Sequence, residues 1–301
     1  MNTKTSKYEI DMCNGSILDK LVSFSIPLML SGILQLLFNA VDIIVVGQFT
    51  GNEALAAVGS TTALINVFVN LFIGISLGAS VLAARFYATG QEKEMSETVH
   101  TSITLALISG IAMGIIGVIA AKGALELMDT PDNVLNLSTL YMRIYFMGMP
   151  FFMLYNYGAA ILRAVGDTKR PLLFLIISGV INIVLDIVFV ICLGTGVVGC
   201  GYATVIAQGI SGILCLLYIA KKVPALYLHR EDWEIDKNLA GWQLKIGLPM
   251  AFQYSITAIG SVILQTAVNN MGSTIVAAVT AGSRVSMFVC CPFDAMGSTM
   301  A

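Results

Sequence analysis

Two aspartates, Asp42 and Asp186, lie inside stretches otherwise so apolar that each must cross a lipid bilayer. Placing an ionisable group at mid-membrane depth costs about 2.5–3.5 kcal/mol on an insertion scale, so such groups turn inward and serve ions, protons or substrates. No Lys or Arg lies on a matching stripe to neutralise them. Polar residues at helical spacing surround them instead. Ser31, Gln35, Phe38, Asn39 and Asp42 recur at intervals of three, four and seven, which makes one face of a helix. Asn182 precedes Asp186 by four residues, and Thr204 and Gln208 repeat that interval, as do Asn66 and Asn70. Two carboxyls close together in a dry site can hold one proton between them. The same oxygens, with Asn182 and Thr204, can instead ligate sodium, and the residue types leave the ion open. Amides and hydroxyls in membrane bundles also bond neighbouring helices at about 0.6 kcal/mol each, which is the expectation for Asn66, Asn70, Thr204 and Gln208 taken singly.

The elements that position these groups follow from composition. Of 301 residues, 57% are hydrophobic and 11% charged, and the mean hydropathy is +0.85, which leaves too little polar surface for a soluble fold. A spanning helix needs about 20 apolar residues, and about eight such segments occur. They run near Leu21–Gly47, Ala54–Ala84, Thr101–Ala121, Leu137–Leu162, Leu172–Leu193, Val197–Ala220, Ile246–Asn270 and Thr274 to the end. The fold class expected is an all-α polytopic helical bundle.

Most of the 16 Lys and Arg fall in the N-terminal tail and in the loops after segments two, four and six, Lys122 being the main exception. The positive-inside rule then makes the N-terminus cytoplasmic, in a multi-pass protein of the cell membrane. Segment one is too long for a cleavable signal peptide and lacks a small-residue cleavage pattern. The six cysteines define no framework; Cys192 and Cys200 flank a short outward loop and are close enough in sequence to pair, while Cys215, Cys290 and Cys291 read as small apolar residues. His100 and His229 read as surface residues, and no metal-binding His spacing exists. No basic patch suits nucleic acid.

A weak internal repeat is present. IPLML at Ile26–Leu30 is echoed by LPMAF at Leu248–Phe252, and GNEALAAVGS at Gly51–Ser60 by GSTIVAAVTA at Gly272–Ala281, at nearly one common offset. Six crossings separate the copies, so both enter from the same side, as in lobes related by an axis along the membrane normal. The division expected is a six-helix lobe over 1–220, a cytoplasmic linker over 221–244 holding HREDWEID, and the first two helices of a second lobe over 245–301, with roughly four helices of that lobe still to come. Arg284 and Asp294 in segment eight lie too far apart along one helix to pair directly.

Several motifs resemble the multidrug and toxic compound extrusion (MATE) transporters. They are the Pro27–Asp42 stretch, FTGNEALAAVG at Phe49–Gly59, RFYATGQEKEMSE at Arg85–Glu97, LRAVGDTKRPL at Leu162–Leu172 and NIVLD at Asn182–Asp186. The resemblance spans the chain, and GDTK-Pro followed by Asn-x3-Asp is its most specific part. It implies a V-shaped bundle of about twelve helices in two lobes that exports organic cations in exchange for protons or sodium by alternating access. Asp42, Asn182, Asp186 and Thr204 match the polar site of the family's N-terminal lobe, with Gln35 beside them and Pro27 as a hinge. Asn39, Asn66, Asn70, Gln208, Asn156 and Met149 are the expected wall of a substrate cavity, in which soft side chains can repack. Phe38 departs from members with a Tyr one turn before the first-helix Asp. Thr257 stands where members with a second-lobe cation site carry Glu.

A monomer is expected, with lipid and a small organic cation as partners, no cofactor and no bound metal. A lipid-linked oligosaccharide flippase of the same superfamily would share the helix layout, but a pyrophosphate substrate calls for more Lys and Arg in the cavity than this chain offers. An enzyme is disfavoured, because no Ser or Cys has a base in a recognisable pattern.

Overall fold

The structure, a computed structural model, describes residues 16–128, 130, 132–222, 237–269 and 273–300, and every regular element among them is helical. The helices are α1 (Ile17–Phe49), α2 (Asn52–Thr89), α3 (Glu92–Leu127), α4 (Asp132–Met147), α5 (Met149–Ala164), α6 (Lys169–Asp186), α7 (Val197–Lys222), α8 (Lys237–Asn269) and α9 (Ser273–Met300), with a π-helical turn at Ile187–Cys192 continuing α6. Five stretches are long and apolar enough to cross a membrane: α1, Ala57–Thr89 of α2, α3, Lys169–Cys192 and Val197–Lys221. The protein is an all-α, multi-pass membrane bundle, and the eight expected segments map onto these helices.

The fourth segment is divided. Pro150 has no N–H to give the Phe146 carbonyl, and its ring crowds that oxygen, so the helix cannot continue unbroken. The Gly148 amide instead bonds Tyr145 O at 3.0 Å and Ile144 O at 3.3 Å, tightening the last turn of α4 before α5 begins. Around this break lies the main core, where Leu82, Met95, Val99, Met149, Met153, Tyr157 and Leu162 are sealed from solvent. Phe68 and Phe146 meet edge to face there, with centroids 5.5 Å apart. The outward face of α3 shows the opposite pattern. Ile108, Ile111, Ile115 and Ile119 are large, apolar and exposed, a stripe suited to lipid.

The GDTKRP motif is a structural joint. Gly166 takes a left-handed φ of 87°, and Asp167 behind it is 1% exposed. Its carboxylate receives the Arg170 amide at 3.2 Å and pairs with the Arg170 guanidinium at 2.9 Å, so it holds the first turn of α6 from both sides. Arg170 in turn lies 4.2 Å over the Tyr218 ring of α7. The motif therefore sets the direction of α6, and with it the place of Asn182 and Asp186.

Helices α2 and α8 run antiparallel in tight contact. A Cβ added at Gly74 would strike the backbone of Ala251, and one at Gly78 the backbone of Gln243 and Gly247. Such small-residue seams let backbones meet where no hydrophobic force drives helices together. Gln243, 1% exposed, reaches past the seam to donate to Ser102 Oγ at 3.0 Å and Thr98 O at 3.3 Å on α3. His100 lies in the same region, inside α3. It is 1% exposed and its Nδ1 meets Ser96 O at 2.8 Å, which corrects the expectation of a surface histidine. The sequence carried a polar run at the start of α3, read as a loop end; α8 covers it. His229 lies outside the described residues, as does most of the expected linker. Helix α8 begins at Lys237, earlier than the expected start of that segment at Ile246.

Candidate functional site

Asp42 on α1, Asp186 at the end of α6 and Cys200 on the first turns of α7 converge. One oxygen of each carboxyl and the thiol sulfur all lie within 4.8 Å of one another. Asp186 is fully buried and Asp42 half-buried. Both Asp186 oxygens and Asp42 Oδ1 lie buried with no hydrogen-bond partner among the described residues, so the carboxyls face each other and the thiol. Cys200 belongs to a valine-rich apolar cluster with Val45, Val46, Val58, Val190, Val197, Ile65 and Tyr141. Unpaired carboxyls in such surroundings are costly unless a proton or cation is taken up.

Local structure places each group. Asp186 is the last residue of α6, where the i→i+4 ladder gives way to the π turn and the Leu193 amide bonds back to Val188 O at 2.9 Å. Extra backbone per turn is a recurrent device at functional sites. Asn182 sits one turn earlier, 6% exposed, with its Nδ2 also without a partner. Phe38 packs on Gly179 of α6 so closely that a Cβ there would enter its ring, which lets α1 and α6 approach one turn from Asp42 and two turns from Asp186.

The other expected residues divide. Gln35 and Asn39 are exposed and lead along one face of α1 to Asp42. Asn66 is exposed and Asn70 half-buried on α2, while Gln208 Oε1 is buried without a partner on α7. Thr204 turns its hydroxyl back to Cys200 O at 3.0 Å. Asn156 donates to Phe152 O at 2.8 Å on its own helix, and Met149 is fully buried in the main core. Those two are occupied in packing rather than lining an open surface. Pro27 is buried within an unbroken α1, with Ser31 Oγ donating to Pro27 O at 2.8 Å. Close by, Cys291 Sγ of α9 meets Met29 O at 3.5 Å, and Ser25 Oγ meets Thr299 Oγ1 at 2.9 Å. The side chain of Arg284 lies outside the described residues, and Asp294 is exposed on α9.

Three groups at the site escaped the sequence reading. Cys200 is free, as is the exposed Cys192, so the two do not pair. The Tyr141 and Tyr145 phenols of α4 lie within electrostatic reach of Asp42. The sequence offered only a faint signal, a shared helix face: Cys200 is four residues from Thr204, and Tyr141 is four from Tyr145. These phenols bring hydroxyls near the site from α4, where Phe38 supplies none from α1.

Comparison with known proteins shows which family the chain resembles. The model of the MatE family matches residues 27–188. "Probable multidrug resistance protein YoeA" of Bacillus subtilis (strain 168) is 32% identical over 281 residues, covering 91% of this chain and 61% of that protein. "Probable multidrug resistance protein YpnP" of the same organism is 28% identical, covering 96% of this chain and 65% of its own length. The chain thus spans under two thirds of these curated relatives. A solved multidrug resistance MATE family transporter of the MOP superfamily, in an outward-facing conformation, superposes with a TM-score of 0.90 at 27% identity, over 98% of this chain and 66% of that one. With more than half of its residues matched by the family model, the chain belongs to the MatE family, the MATE transporters.

Proposed function

We propose that the full-length protein exports small organic cations across the cell membrane in exchange for protons, with Asp42 and Asp186 as the exchange site. The observation that carries this reading is the pair of buried carboxyls facing each other and a thiol, without other hydrogen-bond partners. A proton shared by the pair satisfies them at little cost; loss of that proton leaves a net negative pocket that favours an organic cation. Sodium fits less well. It is a hard cation that wants several oxygens, and the third group here is a soft sulfur, with the Thr204 hydroxyl turned away to its own helix.

The stripe from Gln35 through Asn39 to Asp42 gives the route along which a cation approaches. Pro27 frees a backbone carbonyl in α1 and makes bending there cheap, so proton occupancy at Asp42 can be relayed to the shape of α1. The lobe division at 1–220 and 245–301, the cytoplasmic N-terminus and the monomeric state belong to this same reading. The similar proteins are probable multidrug resistance proteins and a multidrug resistance transporter, which supports the substrate class.

The test is export of a fluorescent organic cation by cells expressing the full-length protein, with the proton and sodium gradients collapsed separately. Export should stop with the proton gradient and persist without the sodium gradient. Loss with sodium alone would overturn the proton assignment, and absence of cation export under any gradient would favour a lipid-linked oligosaccharide flippase.

A further inference from the structure

We propose that Asp42, Asp186 and Cys200 form a binding site for a thiophilic divalent cation of the Zn²⁺ or Cd²⁺ class. Three helices, α1, α6 and α7, each present one ligand atom, and those atoms lie within 4.8 Å of one another. Two oxygens and a sulfur with one position left over is the donor set of an open four-coordinate site for a d¹⁰ metal, whereas alkali and alkaline-earth ions seek more oxygens and no sulfur. A second observation points to a ligand. The Asp186 carboxylate is fully buried, both oxygens lack hydrogen-bond partners among the described residues, and it is aimed into this space. Asn182 lies one turn back on the same helix face, and its Nδ2 is a second buried polar atom there without a partner among the described residues. Cys200 is 1% exposed in the structure, but Asp42 is half-buried at the end of the exposed Gln35 and Asn39 stripe, which supplies the path of entry.

On binding, a metal–sulfur bond and two metal–oxygen bonds form. The thiol proton, and any proton held by the carboxyls, leave to solvent, and no electron is transferred. Metal and proton therefore exclude each other at this site. That competition rests on the exchange reading given above; the binding itself rests on the geometry alone.

Cadmium is the probe, because its bond to a thiolate gives an ultraviolet charge-transfer band. The protein is prepared full-length with Cys200 as its one cysteine, every other cysteine changed to Ala, and titrated with Cd²⁺ in detergent. The band should appear with saturation, and Asp186→Asn should raise the half-saturating cadmium concentration by about tenfold or more, in line with the loss of a metal ligand or its support. Direct binding of Cd²⁺ to otherwise unaltered protein, reduced to background by Cys200→Ser and unchanged by Cys192→Ser, gives the same answer should the cysteine-depleted protein fold poorly. No band in the Cys200-only protein that retains its thermal unfolding midpoint, or a band indifferent to both Asp42→Asn and Asp186→Asn, would overturn the site. Proton-coupled export without cadmium binding would remove the metal site and leave the exchange reading; cadmium binding without proton-coupled export supports the metal site and removes the exchange reading.

Discussion

Asp186 and Thr204 entered the sequence reading as members of one polar constellation, and the structure gives them different work. Asp186 faces Asp42 and Cys200 with its oxygens unsatisfied, whereas the Thr204 hydroxyl is spent on Cys200 O. Replacing Thr204 by Val should therefore leave ion-coupled export within about twofold of wild type, since an intrahelical hydroxyl bond is a minor contributor in membrane helices. Asp186→Asn should abolish coupling while the protein still inserts and elutes as a single species, because an amide cannot exchange a proton. Transport assays on the two variants side by side check this, and equal losses would contradict the division. The two aspartates were legible in the sequence because a carboxylate inside an apolar run has no cheap structural explanation. Cys200 and the α4 phenols were not, because cysteine and tyrosine are ordinary in such runs and only the convergence of α1, α4, α6 and α7 gives them a role.

Among the elements, the membrane helices could be read from apolar length, but not all their ends: α3 begins at Glu92 and α8 at Lys237, well before the expected Thr101 and Ile246, because polar first turns carry no hydropathy signal. The break at Gly148 and Pro150 was missed, although a proline after a glycine inside one long apolar segment carried the signal. GDTKRP shows the reverse case. It is part of the most specific stretch of the family resemblance, and its chemistry is a joint in which Asp167 caps α6 and pairs with Arg170. Asp167→Asn should keep the amide acceptor and lose the charge, lowering stability by about 1.5–3 kcal/mol, the scale of a hydrogen bond to a charged group. A thermal unfolding midpoint several degrees below wild type, with partial export retained, is the expected outcome; a midpoint equal to wild type would show that the pair does not hold α6.

For the molecule as a whole, the contacts that join the first six expected segments to the last two are, among the described residues, few in kind. They are the glycine seam of α2 and α8, Gln243 reaching α3, and the meeting of α1 with α9. Each must loosen if α8 and α9 move against the first six segments, and none was visible before folding, because they depend on residues about 150 to 270 positions apart finding one another. Ser25→Cys with Thr299→Cys places two thiols where the hydroxyls lie 2.9 Å apart. Oxidation should fix α1 to α9 and stop export, and reduction should restore it; export unaffected by a bond demonstrated by gel mobility would mean that this contact does not move in the cycle.

The central claim is that the Asp42 and Asp186 pair gives up a proton when an organic cation binds. Proton release into weakly buffered solution, recorded with a pH dye as the cation is added to purified full-length protein, measures that directly. About one proton per bound cation is expected from a coupled pair of carboxyls, and none from the Asp42→Asn, Asp186→Asn double variant. Release that persists in the double variant, or cation binding to wild type with no proton released, would contradict the account.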